Sequence, residues 1–304
     1  MAIAGTLKVR AGGREIPAEG FGLLREGSLG LGHSELGSRM KEDGYLLLRG
    51  LLPKAKVMAA RESILEELER LGKLAPGSDR EEAVARKGVG VGIGFEIAQK
   101  NERLSAAIYG PEMMGFFDGF LGGPARHFDF TWLRTVGPGE GSDPHCDIVF
   151  MGRGTQRLFT AWTPLGDVPL KMGGLLVLEH SHRIEWLKET YGRQDVDRWC
   201  TNRGERMPEQ LGEGRYYSKD GALSHNHLEL QDQLGGRWMS ADYEAGDVVV
   251  FCMSLVHGSL ENQTDRIRIT CDSRYQLASD PVDERWVGEN PMAHGHESQR
   301  EAIC

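Results

Sequence analysis

The sequence predicts a mainly β protein in which a helical N-terminal third supports a β barrel or sandwich. Three observations carry this expectation. From residue 128 onward the chain breaks into short β-like runs separated by turn residues; residues 54–72 repeat apolar side chains at helical spacing; and 41 glycines in 304 residues supply many turns and close backbone approaches. A length of 304 residues and 39% hydrophobic content suit one elaborated domain, and no run approaches the roughly 18 apolar residues of a membrane span.

Taken in order, TLKVRAGGREI alternates around Gly12-Gly13 and reads either as a small edge hairpin or as a loose N-terminal arm. In EDGYLLLRGLLP, Gly44 suits a helix stop, Tyr45 to Arg49 a short buried strand, and Pro53 the first turn of the next helix. Val57, Ile64, Leu65, Leu68 and Leu71, with Arg61, Glu62, Glu66, Glu67 and Arg70 between them, predict an amphipathic helix over 54–72 that covers a sheet face. Gly88, Gly90, Gly92 and Gly94 invite a nucleotide-loop reading, but Ile93 and Phe95 stand where that fingerprint needs small residues, so the segment is a mobile loop or glycine-rich strand bordering a site. Residues 103–121 are expected to be helical.

The β-like runs follow at 128–136, 157–165, 174–181, 247–257 and 266–277, punctuated by Pro138-Gly139, Gly152, Gly166, Gly173-Gly174 and Gly246. An insertion over 184–238 separates two of them and carries a lid or disorder. The expected organisation is one domain over 1–304: an arm or hairpin to 35, supporting helices over 36–122, the barrel core over 123–278 with its insertion, and a tail over 279–304. That tail is expected to wrap the surface or to meet another subunit in a homo-oligomer.

A formal charge of −9 sets the whole-chain field against phosphate backbones and anionic lipid, so neither nucleic acid nor membrane is expected as a partner. MAIAGTLKVRAGG lacks the apolar stretch of a secretory signal, which makes a cytoplasmic location the expectation. Cys146, Cys200, Cys252, Cys271 and Cys304 are odd in number, scattered and without a Cys-x-x-Cys pair, and are read as reduced thiols.

Histidine carries the chemistry. In GPGEGSDPHCDIVF a turn delivers His145 and Asp147 into an apolar run, and in an extended strand residues two apart project to one face. His257 ends DVVVFCMSLVH and supplies a third ligand. Two histidines and one carboxylate on one face of an octahedral ion leave three positions open, the arrangement of non-haem Fe(II) oxygenases. His127 and Asp129 have the same spacing and remain a rival pair. Context favours His145, which follows a turn and opens a strand.

A second cluster completes the site. Ser259 lies two residues past His257 and Arg268 eleven past it. A dicarboxylate that chelates iron at one end needs a cation and a hydroxyl donor at the other, and arginine offers the bidentate fork. Arg266 is a near rival, sharing a strand face with Arg268.

At these residues the chain resembles the phytanoyl-CoA dioxygenase family of Fe(II)/2-oxoglutarate-dependent oxygenases. The likeness runs from DGYLLLRGLLP through AWTPLGD and GGLLVLEHSHR to RYQL, roughly residues 40–278, with 184–238 and both termini unmatched. It implies a double-stranded β-helix, the jelly-roll or cupin-like barrel; iron at His145, Asp147 and His257; 2-oxoglutarate at Arg268 with Ser259; and Trp162 lining the pocket. It also implies a cycle in which O2 and 2-oxoglutarate are consumed and an unactivated C–H bond of a small-molecule substrate is hydroxylated. Halogenating relatives replace the carboxylate ligand by a small residue, and Asp147 fills that place here.

Duller readings are weighed beside these. His145 and Asp147 could form a surface-turn pair, His257 a satisfied core histidine, Arg268 a partner for Asp265 or Asp272, and Trp162 plain core. Cys146 is expected to point away from the metal. His225, His227, His294 and His296 are read as solvated or peripheral, and Arg193, Arg198, Arg203 and Arg206 keep an anionic substrate open. A metal-binding cupin-like protein without 2-oxoglutarate, and a non-catalytic binding protein on the same barrel, are the two readings from other classes.

Overall fold

The structure is a computed structural model that describes residues 8–201 and 221–294, the side chains of 198–201 excepted. Arg203, Arg206, His296 and Cys304, and the side chains of Arg198 and Cys200, lie outside what is described.

The N-terminal hairpin forms: Arg10–Ala11 (β1) pairs with Arg14–Glu15 (β2) across Gly12 and Gly13, whose φ values of 56° and 75° are those of a tight hairpin turn. Phe21–Leu23 (β3) follows, then helix His33–Asp43 (α1). Gly44 ends α1 in the left-handed region at φ 79°, its N–H on the Met40 carbonyl, and the chain turns straight into Tyr45–Leu48 (β4). Pro53 caps Lys54–Arg70 (α2), which buries Val57, Ala60, Ile64, Leu65 and Leu68.

Residues 88–94 are neither helix nor strand, and Phe95–Gln99 (α3) follows them. The helix expected over 103–121 is two, Glu102–Ile108 (α4) and Pro111–Leu121 (α5). Pro111 explains the break, because it has no N–H for the preceding helix and its fixed φ starts a new one.

Next come Ala125–His127 (β5), Trp132–Val136 (β6), the single turn Ile148–Met151 (α6), Phe159–Pro164 (β7) and Leu175–Leu178 (β8). The insertion holds Glu185–Glu189 (α7), the pair Gln194–Asp195 (β9) and Arg198–Thr201 (β10), and His227–Leu234 (α8). Trp238–Ser240 (β11), Val248–Cys252 (β12), His257–Ser259 (β13) and Arg268–Leu277 (β14) close the order.

Two sheets make the jelly roll. The larger runs β4-β12-β7-β14-β5, with β6 also on β14; the smaller runs β13-β8-β11-β3. Alternation decides what each face meets. Along β4, Tyr45 and Leu47 join Trp162, Val249 and Phe251 against Leu175, Val177 and Met239 of the opposite sheet, while Leu46 and Leu48 pack outward on helices α1, α2, α4 and α5. Both faces of β4 and β12 are buried, hence their apolar sequences YLLL and VVVFC. The outer face of the smaller sheet is covered by the hairpin and the insertion, with Trp238 against Leu187, Tyr191 and Leu230.

Three expectations change. The run 247–257 is not one strand: β12 stops at Cys252, and the chain crosses to the other sheet before β13. Only Trp132–Val136 of 128–136 is extended, because Phe128 and Phe130 turn into an aromatic cluster with Trp286. The tail does not stay on the surface throughout. Asp283, Arg285 and Trp286 are buried, and Arg285 is held by Asp283, Asp195 and Asp197, so tail and insertion lock together through charges that could not be buried singly. Among the described residues no helix is long and apolar enough to cross a membrane.

Candidate metal centre

The crossing from β12 to β13 aims His257 inward, opposite His145. The two backbones exchange hydrogen bonds, each N–H to the other's carbonyl at 2.9 Å, and the imidazole centroids stand 4.3 Å apart. Asp147 arrives differently from the strand alternation expected of it. Its backbone is already helical, at φ −62° and ψ −24°, and it caps α6, so a turn immediately after the bridge swings its carboxylate beside the rings. Cys146 between them points away, its thiol against the Ser254 carbonyl.

Backbone carbonyls fix both tautomers. Since a carbonyl only accepts, Nδ1–H of His145 donates to the Asp143 oxygen (2.8 Å) and Nδ1–H of His257 to that of Leu255 (2.9 Å), which leaves each Nε2 a bare lone pair. Burial, with His257 close by, pushes His145 down to about 4, and burial lowers His257 as well, so both are neutral at pH 7. Asp147 feels the opposite balance: burial opposes its charge, but the Arg274 guanidinium, with the Thr160 hydroxyl, outweighs that and holds it well below the usual carboxylate range. Its Oδ1 lies 3.7 Å from His257 Nε2 and 4.0 Å from His145 Nε2. Two neutral imidazoles and one ionised carboxylate, converging within 4.8 Å, fit a divalent metal ion. Among the described residues this is the only such cluster.

The second oxygen of Asp147 is fully engaged. Oδ2 accepts from Arg274 Nη2 at 3.1 Å and from the Thr160 hydroxyl in a short bond. Oδ1 alone faces the metal position. Sequence reasoning missed both partners, although the signal existed: Arg274 shares the period-two face of Arg268 on β14, and Thr160 shares that of Trp162 on β7.

Arg268 and Ser259 do come together. Arg268 Nη2 lies 3.2 Å from Ser259 Oγ and Nη1 3.4 Å from the Leu260 carbonyl, while Nε is buried without a partner. Among the described residues Arg268 has no ion pair; burial, with Arg134 nearby, lowers it to about 9. A buried guanidinium without a counter-charge is costly, and an anion relieves that cost.

The rivals fall elsewhere. Arg266 precedes β14 and pairs with Glu82 at the surface. His127 stacks on Tyr109 at 4.0 Å with Nδ1 on the Phe128 carbonyl, and Asp129 accepts from the Gly288 N–H. Trp162 packs on Tyr243 inside the sandwich, and the tryptophan lining the cleft beside the ligands is Trp132. His227 is buried against Trp238 rather than solvated, and His294 meets Asp197. The glycine-rich loop lines a separate groove of about 890 Å³; the cleft at the ligands measures about 350 Å³.

A jelly roll with a two-histidine, one-carboxylate face open to a cleft defines the mononuclear non-haem oxygenase class. The family model of phytanoyl-CoA dioxygenase (PhyH) matches residues 40–270, and the chain belongs to that family of Fe(II)/2-oxoglutarate-dependent oxygenases. Similar solved structures agree in fold. The non-heme alpha ketoglutarate dependent epimerase SnoN from nogalamycin biosynthesis is 17% identical with a TM-score of 0.54, over 86% of this chain and 93% of that one. The carbocyclase SnoK of the same biosynthesis is 21% identical at 0.53, over 86% and 89%. EctD from S. alaskensis is 16% identical at 0.53, over 90% and 88%. No curated protein matches the chain.

Proposed function

We propose that the protein hydroxylates an unactivated C–H bond of a small molecule, with Fe(II) on His145, Asp147 and His257 and the distal carboxylate of 2-oxoglutarate on Arg268 and Ser259. When bound, iron and 2-oxoglutarate let O2 oxidise the substrate by two electrons while 2-oxoglutarate leaves as succinate and CO2. The protein's own residues do the rest. The Asp143 and Leu255 carbonyls hold the imidazoles in the ligating tautomer, and Arg274 with Thr160 restricts Asp147 to one donor oxygen. Arg268 fixes the far end of the cosubstrate, and Phe150, edge-on to His145 at 5.5 Å, shields the ligands from water.

The observation that carries this reading is the buried guanidinium of Arg268, against Ser259 and without an ion pair among the described residues, in the same barrel as three metal-capable donors. Calorimetric titration of 2-oxoglutarate into Mn(II)-loaded protein tests it. Wild type is expected to bind, and Arg268→Ala to lose about 30-fold or more in affinity. Because the buried guanidinium has no ion pair among the described residues, Arg268→Ala is expected to fold at least as stably as wild type. A wild type that takes metal but not 2-oxoglutarate would refute the proposal. Labelled O2 then decides the outcome of turnover: label in the product marks hydroxylation, and its absence marks an oxidation such as ring closure or epimerisation.

A further inference from the structure

A second guanidinium faces the cleft. Arg134 on β6 is in register with Thr270 of β14, which puts it on the same inner face as Arg268, Asp272 and Arg274. Its Nε donates to Asp272 Oδ2 at 2.6 Å, which sets the plane of the fork, and its two terminal nitrogens make no hydrogen bond among the described residues. The side chain is 42% exposed although Asp272 beneath it is 7% exposed, so the fork stands on a buried base and opens into the cleft. Of the charged residues lining the cleft, Arg274 is committed to Asp147 and Asp143 meets His225, which leaves the terminal nitrogens of Arg134 as the cationic donors turned to the cleft.

Aromatic rings stand in the walls beside Ser142, Asp143, Met151 and Ala222. Phe150 touches both His145 and His294 edge-on, at 5.5 and 5.8 Å between centroids. Trp132 is pinned between Arg274 on its face (4.3 Å) and Trp286 (4.8 Å). A cleft of about 350 Å³ with aromatic rings beside the metal ligands, in which Arg274 is held by Asp147 while the fork of Arg134 opens inward, suits a small molecule with a single acid group.

We infer that the substrate is a small organic acid whose oxyanion sits on the terminal nitrogens of Arg134 and whose body lies between Trp132, Phe150 and His294. The inference rests on the oxygenase reading, since it takes the metal ligands as the place of reaction. The same fork could serve a carboxylate of 2-oxoglutarate, and the experiment separates the two.

Wild type, Arg134→Gln and Arg134→Lys are loaded with Mn(II) and N-oxalylglycine, an unreactive mimic of the cosubstrate, and titrated with benzoate, 3-phenylpropionate and phenyl phosphate, with benzamide and 3-phenylpropanamide as neutral counterparts. Wild type is expected to bind at least one acid about tenfold more tightly than the amides. Arg134→Lys is expected to keep that preference, and Arg134→Gln to lose it while binding 2-oxoglutarate within about twofold of wild type. Equal binding of acids and amides, or no binding of either, overturns the inference. So does a loss of 2-oxoglutarate affinity in Arg134→Gln as large as that in Arg268→Ala, which assigns the fork to the cosubstrate. If wild type fails to bind 2-oxoglutarate, the oxygenase reading falls, and the acid–amide comparison with Mn(II) alone still decides Arg134.

Discussion

Replacing Arg274 by Gln should weaken metal binding without touching a ligand. Arg274 Nη2 reaches Asp147 Oδ2 at 3.1 Å, both groups are buried, and Thr160 holds the same oxygen from the other side. Two effects follow from removing the charge. The carboxylate loses the partner that most strongly offsets its burial, and Oδ2 is freed to rotate toward the metal position. A charge-assisted hydrogen bond contributes about 1.5–3 kcal/mol, and loss of a partner that orients a ligand costs about 10- to 100-fold in metal affinity. With Thr160 still in place, the expectation for Arg274→Gln is the lower half of that range, about 10- to 30-fold for Mn(II). Thr160→Val alone should cost less, and the double variant should cost less than the two losses multiplied, because both act on one oxygen. Calorimetry on metal-free protein reads all three, with circular dichroism confirming the fold. Affinities within about twofold of wild type in a folded Arg274→Gln would refute the orienting role.

Arg285→Leu should destabilise by about 3–5 kcal/mol in urea unfolding, since it leaves Asp283 buried without its cation, Asp195 to Arg153 alone, and Asp197 to Arg153 with His294. Gly44→Ala should cost about 1–3 kcal/mol, because φ is +79° and an added methyl would meet the His182 ring at 2.5 Å; an unchanged melting temperature would contradict this. His227 supplies a pH test on metal-free protein: burial pushes it down to about 4, so between pH 6.5 and 4 the unfolded chain binds a proton that the folded chain refuses, and stability drops as pH falls through that window. His227→Phe should make that part of the melting-temperature profile shallower, the remainder coming from His145 and the other buried histidines.

Elements whose signals are local were legible in the sequence. Gly44 and Pro53 mark a helix end and a helix start through backbone geometry alone, and α2 shows its buried face in its spacing. The His-x-Asp spacing alone could not single out the proposed ligands, since His127 and Asp129 share it; the turn before His145 and the Ser259–Arg268 cluster after His257 favoured them. Their local geometry was not legible, since Asp147 reaches the rings through a helical turn rather than strand alternation. Short strands such as Phe21–Leu23 and Trp238–Ser240 owe their extended form to partners distant in sequence, which no window around them contains. Arg285 is a charged residue that reads as surface until its three aspartates are known, and Trp162 and Trp132 exchange roles for a similar reason: only the packing says which aromatic meets the cleft.

The passage of the chain from β12 to β13 puts the proposed iron at the seam between the two leaves of the barrel. The smaller leaf contributes His257 and Ser259; the larger contributes Thr160, Arg268 and Arg274; and the loop between β6 and β7 of the larger leaf contributes His145 and Asp147. A ferrous ion ligated there is a rivet as well as a reagent. Whatever strips it, a chelator or oxidative damage to a ligand, loosens the clamp between the leaves in the same act that silences the chemistry.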